Sequence, residues 1–183
     1  ATLQQIIEAV VAKRCQQAAP AMRAIYHAEQ RRMYRALTRY LESERERDGT
    51  AEWKPVWFEV AFGRAGARAA EPPGTSEPFA LNTALGPVRF SGRIDRIDIR
   101  DGGCALVDYK TGKGSLPTKS SIVAGESLQL PVYILAVNEH LDLPETCVAG
   151  RFVYVGGTRH VGINRDGKDW EKALEAAVGS VEG

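Results

Sequence analysis

The stretch Cys104-Ala-Leu-Val-Asp-Tyr-Lys110 constrains the fold more than any other part of this chain. Its first four residues form an apolar run suited to burial on both faces, which calls for a sheet covered on both sides. Side chains alternate along a strand, so Asp108 and Lys110 share one face and Tyr109 takes the other. The run therefore ends in a carboxylate and an ammonium, just before Thr111 and Gly112, at the kind of strand end where sheets place ligand sites.

The flanking pattern supplies the cover. Leu3, Ile6, Ile7, Val10 and Val11 recur at helical spacing behind Thr2, a ready N-cap, which predicts a helix over Thr2 to Ala19 that Pro20 interrupts. A second helix is predicted from Ala21 to Arg47, with Gly49 placed to stop it. After Trp53, β-branched and aromatic residues predict strands at Val56–Phe62, Phe79–Leu85, Val88–Ile99 and Cys104–Tyr109. Gly86-Pro87 and Asp101-Gly102-Gly103 read as tight turns between neighbouring strands, so the expected topology is a meander. Arg64 to Glu77 and Thr111 to Gly125 read as loops. An apolar helix over Leu128–Leu141, strands at Val148–Val155 and His160–Ile163, and a helix from Trp170 complete the order. The expectation is an α/β or α+β fold, a mixed sheet flanked by helices. It forms one domain over 1–183: a helical lead-in (1–50), a sheet core with its motif helix (53–165) and a C-terminal helix (166–183). Because the chain begins and ends at predicted helices, it is expected to be a piece of a longer protein.

Composition removes several function classes. Twenty-four Lys and Arg nearly balance 23 Asp and Glu, so attraction to nucleic acid must come from local patches. Cys15, Cys104 and Cys147 lie far apart without a C-x-x-C pair, which argues against a zinc or thiol-redox site and fits a reduced, cytoplasmic setting. No apolar run approaches the roughly 20 residues of a membrane span, and no signal peptide is evident, so no membrane partner is expected. Lys113 follows Gly112, but Val107 stands where a phosphate-binding loop needs its earlier glycine. Any nucleotide-driven motor must therefore be elsewhere.

The candidate chemistry gathers around three residues. Along Val88–Ile99 apolar residues hold even positions up to Ile94 and odd positions from Ile97, so the phase changes at Asp95. That pattern predicts a kink or bulge aiming a partly desolvated carboxylate in an unusual direction. Joined by a short turn, Asp95 and Asp108 could converge on one cation, with a backbone carbonyl and waters completing the oxygen shell magnesium prefers. Phosphodiester hydrolysis needs such a cation and a positive group near the nucleophile, a part Lys110 can take. The competing reading is an ordinary Asp108–Lys110 ion pair, with Asp95 bridged to Arg93 or Arg96. Gln129 and Tyr133, four apart, share a helical face and could reach the site, or else cap the helix and pack in the core. Arg93, Arg96, Lys113 and Lys119 are candidate phosphate contacts, or simply solvated charges.

Gly92-Arg-Ile-Asp-Arg-Ile-Asp98, Leu106-Val-Asp-Tyr-Lys-Thr-Gly112 and Gln129-Leu-Pro-Val-Tyr133, in that order, resemble the successive motifs of RecB-type nucleases in the PD-(D/E)XK superfamily. The resemblance covers roughly Trp57 to Leu141 and is nearest to the nuclease domains of RecB and AddB helicase-nucleases. It implies a restriction-endonuclease-like mixed sheet and a Mg2+- or Mn2+-dependent DNA nuclease, an exonuclease of repair or recombination with a helicase domain or subunit as partner. It further implies Asp95 and Asp108 as metal ligands, the Tyr109 carbonyl as a third and Lys110 as the catalytic lysine, supported by Gln129 and Tyr133. Glu59 resembles a glutamate of the family's first strand, although alternation would equally put it in solvent. His27 is the candidate for an upstream metal-binding histidine, but its surroundings lack the expected Gly-x-x-x-His pattern. The three cysteines do not match the four that hold an iron–sulfur cluster in some relatives. An inactive nuclease-like module that binds DNA or serves assembly is the alternative.

Overall fold

The computed structural model describes residues 1–48, 53–64, 73–111, 117–156 and 159–182. The chain separates into two compact units, residues 1–51 with 155–158, and residues 52–154 with 159–183.

In the first unit, α1 (Leu3–Gln16) is followed by α2 (Pro20–Asp48). Thr2 caps α1 as the sequence predicts: its side chain accepts from the Gln5 N–H, and Gln5 Oε1 accepts from the Thr2 N–H. Pro20 occupies the first position of α2, where its missing N–H costs nothing. Gly49 lies outside the described residues, as does most of the Arg64 to Glu77 loop.

The second unit is built on a sheet of β1 (Lys54–Phe62), β4 (Gly92–Arg100), β5 (Gly103–Lys110), β6 (Cys147–Tyr154) and β7 (His160–Asn164), paired in that order. Neighbours run antiparallel except β5 and β6, which are parallel. A parallel pair needs a crossover, and α3 (Lys119–Val123) and α4 (Gln129–Glu139) provide it. α5 (Trp170–Glu182) follows β7 and buries Trp170, Ala173 and Ala177. The mixed sheet flanked by helices matches the expected fold class.

Two expectations are corrected. Val88–Ile99 is not one strand: it divides at Ser91 into β3 (Gly86–Phe90) and β4, and β3 pairs with β2 (Phe79–Thr83) in a separate two-stranded sheet. The meander is thus interrupted, because β4 pairs with β1 rather than extending the hairpin. The phase change at Asp95 is present within β4: Ile94 and Ile97 lie on either side of it and both enter the same core. Val88 and Phe90 belong to the other sheet, and beyond Asp95 the even residues Arg96 and Asp98 are buried. The irregularities lie on β1, where the register shifts between Pro55 and Trp57 and Glu59 adopts a φ of 56°.

The core packs α4 against the face of β4, β5 and β6 that carries Ile97, Leu106 and Phe152. Gly150 makes the approach possible: a Cβ there would meet Ile134 Cδ1 at 3.2 Å and Leu130 Cδ2 at 3.3 Å. Cys104 and Cys147 are fully buried free thiols in register across β5 and β6, a proximity their spacing gave no hint of. The Cys147 thiol is raised far above its usual pKa, first by its hydrogen bond with Cys104 and then by burial. Among the described residues no helix is long and apolar enough to cross a membrane.

Candidate active site

The pairing of β4 with β5 ends at Arg96 opposite Val107, although both strands continue. The register puts Asp95 and Asp108 next, across from one another on the face that α4 covers. Instead of a further ladder bond, the Tyr109 N–H donates to Asp95 Oδ2 at 2.8 Å. The carboxylate thus takes the place of a strand partner at the point where the two strands part. On its other side β5 stays paired with β6 as far as Lys110 opposite Tyr154, so the backbone carrying Asp108 and Lys110 is held firmly.

Asp108 is 5% exposed. Gln129, in the first turn of α4, donates through Nε2 to Asp108 Oδ1 and accepts through Oε1 from Lys110 Nζ at 2.8 Å. Lys110 Nζ also lies 2.6 Å from Asp108 Oδ2, an ion pair that engages the second oxygen of the buried carboxylate. The lysine rests over the Phe152 ring, 4.9 Å from its centroid. Burial drives the Asp108 pKa above the ordinary carboxylate value; Lys110 opposes this, Asp95 adds to it by like charge, and Gln129 opposes it. Leu128, not Gln129, is the N-cap residue of α4, which frees the glutamine side chain for the site.

Tyr133, one turn further along α4, packs edge-on against Phe62, 5.6 Å between centroids. Both rings close over Gly92, where a Cβ would stand 2.8 Å from each. The motif glycine is therefore the residue that lets α4 and β1 meet above the start of β4. Glu59 lies across from Asp95 by register, between the pairs Phe58–Arg96 and Val60–Ile94, yet its side chain is half-exposed and ion-paired with Arg93 at 2.9 Å.

The candidate phosphate contacts mostly have other partners. Arg96 is corrected: it is 4% exposed and grips Asp98 at 2.5 and 2.7 Å on the opposite face, where it also donates to the Tyr109 hydroxyl at 2.8 Å. Arg151 joins the same carboxylate at 3.3 Å. Strand alternation misleads here, because charged residues on a strand suggest solvent unless their mutual pairing is known. Lys119 pairs with Asp169 at 2.7 Å and holds that exposed carboxyl below its usual pKa. Lys113 lies outside the described residues. His27 belongs to the helical unit, where its ring meets Cys15 Sγ at 3.9 Å and Gln30 Oε1 at 3.5 Å.

The donor set suits a hard divalent cation. Among the described residues no group of three or more His, Cys, Asp or Glu side chains forms a cage. Two carboxylates remain, Asp95 at the strand fork and the buried Asp108 facing it. Magnesium is typically held this way, by one or two carboxylates with water filling the other positions. Arg93 pairs with Glu59 and Arg96 with Asp98, so the salt-bridge explanation of Asp95 lapses.

A family model described as the PD-(D/E)XK nuclease superfamily matches residues 1–179. The chain belongs to that superfamily. This PD-(D/E)XK chain is also 32% identical, over 130 residues, to an ATP-dependent helicase/deoxyribonuclease subunit of Ruminiclostridium cellulolyticum. The match takes in 67% of the chain and only 10% of that relative's length. Among solved structures it is similar to the crystal structure of SSO0001, with a TM-score of 0.36 and 14% identity over all of this chain and 88% of that one, a likeness too loose to carry an argument.

Proposed function

We propose that this chain is a metal-dependent deoxyribonuclease domain that hydrolyses phosphodiester bonds at Asp95, Asp108 and Lys110. The observation that supports it best is the buried Asp108 carboxylate, held by Lys110 and Gln129 directly across the strand fork from Asp95. Magnesium or manganese, held by Asp95, Asp108 and the Tyr109 carbonyl, would offset charge on the scissile phosphate and lower the pKa of an attacking water. The chain's own groups do the rest. The Tyr109 N–H fixes the Asp95 carboxylate, and Gln129 fixes Asp108 and Lys110 together. Lys110 presents its ammonium beside the carboxylates, where it can position the nucleophile or stabilise developing negative charge. Exonucleolytic action on single strands or duplex ends, in repair or recombination and beside a helicase domain or subunit, extends the reading by likeness to the helicase/deoxyribonuclease relative.

The test is calorimetric titration of magnesium and of manganese into the wild type and Asp108→Ala, with cleavage of a labelled oligonucleotide alongside. Saturable binding and cutting in the wild type, both lost in a variant whose circular dichroism is unchanged, is the expected result. Undiminished cutting by Asp108→Ala would sink the site assignment. Binding in neither protein, repeated with DNA present, would put the inactive nuclease-like module ahead.

A further inference from the structure

Positive charge in this chain is concentrated away from the motifs. Residues 1–41 hold seven Lys and Arg against two Glu, a surplus of five, whereas the net charge of the whole chain is +1, so residues 42–183 carry a deficit of four. Within the helical unit α1 and α2 form a groove of about 610 Å³, lined by Gln4, Ile7 and Glu8 from one helix and His27, Gln30, Arg31, Tyr34 and Arg35 from the other.

The lining has the parts a single strand of nucleic acid requires. Arg31 and Arg35 are exposed and four residues apart, about 6 Å along the helix, so their guanidinium groups point from one face. Neither has an ion pair among the described residues; Arg35 Nε donates to the Arg31 carbonyl at 3.3 Å, which steadies its side chain. Tyr34 is 41% exposed beside them, an aromatic surface for a base to stack on. Ile7 forms an apolar floor, and Gln4 and Gln30 add amides that tolerate any base. Glu8 is the single acid of the lining and is engaged by Gln4 Nε2 at 2.9 Å. Arg39 extends the positive surface along α2, whereas Arg32 pairs with Glu29 at 3.5 Å.

We propose that this groove binds single-stranded DNA, with Arg31 and Arg35 on phosphates and Tyr34 stacked on a base. The proposal rests on the nuclease reading only for the choice of DNA as ligand, and its test avoids cleavage. Fluorescence anisotropy with labelled oligothymidylate is measured in EDTA over a range of salt concentrations. The proteins are the wild type, Arg31→Glu/Arg35→Glu, Tyr34→Ala, Tyr34→Phe and a charge-matched control, Arg89→Glu/Lys172→Glu.

Reversing the two groove arginines is expected to weaken binding at least tenfold and to flatten the salt dependence by about 0.7 logarithmic units for each phosphate no longer neutralised. Tyr34→Ala is expected to weaken binding about tenfold, with Tyr34→Phe near wild type because the stacking face survives. Equal losses in the groove and control variants would reduce the effect to general charge and overturn the proposal, as would unchanged affinity in the groove variants. A duplex of the same length that binds as tightly and ignores Tyr34→Ala would also overturn it. Thermal unfolding of each variant guards against misfolding. A chain that binds through the groove yet cuts nothing with any metal would uphold this proposal while refuting the proposed nuclease activity.

Discussion

Asp108 concentrates the conflict between stability and chemistry in a single side chain. Its folded-state pKa is raised, chiefly by burial, so the folded chain holds the proton more tightly than the unfolded chain does. Without metal, the stability it contributes is present below the unfolded carboxyl pKa and is lost as pH rises through the folded value. Asp108→Asn should therefore flatten the fall in stability as pH rises above the unfolded carboxyl value of about 4, as urea unfolding in a chelator would reveal; a variant with the wild-type slope would contradict the burial argument. Glu59 sits in the left-handed region, where a non-glycine residue costs about 1–2 kcal/mol. Its ion pair with Arg93 is half-exposed and offsets little of that. Glu59→Gly is thus expected to gain up to about 1 kcal/mol after the added freedom of the unfolded chain. A loss of stability instead would mean that the side chain holds more than its own conformation.

At the scale of elements, the fork between β4 and β5 and the first turn of α4 bring the candidate residues together. The Asp-x-Lys strand is legible in the sequence because period-two alternation is local, and α4 is legible because its apolar pattern is long enough to declare a helix. Strand partners are not: nothing in Val88–Phe90 reveals that β3 leaves the main sheet to pair with β2, since pairing depends on register between distant residues. α3 has only five residues, too few for a periodic signal, and its sequence reads as loop. The Arg96–Asp98–Tyr109–Arg151 cluster is hidden for the same reason as the strand partners, its members being polar alone and buried only together. Gly92 is the point where elements touch most closely, so Gly92→Ala should cost about 1–3 kcal/mol by forcing Phe62 and Tyr133 apart. It should also weaken metal binding, because the displaced backbone leads into Asp95; intact stability and affinity would show that the rings yield freely.

For the whole molecule, the family match spans both compact units, so the helical hairpin is part of the same inherited pattern as the sheet. A ligand that binds only the folded chain stabilises it by mass action, by about 2.7 kcal/mol at a hundred times its dissociation constant. Magnesium at that level should raise the melting temperature of the sheet unit by roughly 2–4 °C per kcal/mol, and should leave Asp108→Ala unmoved. Equal shifts in both proteins would trace the effect to ions bound elsewhere.

The contact between Lys110 and Asp108 has a consequence for ion choice. The lysine is a tethered monovalent cation already resident at the carboxylate. Sodium or potassium brings no greater charge and has nothing to gain by evicting it. An ion of charge two held by Asp95 and Asp108 would, and its charge would replace that of the ammonium at the carboxylate. On the nuclease reading, the residue that guards the site against common salt is the same one that becomes free to act once the right metal arrives.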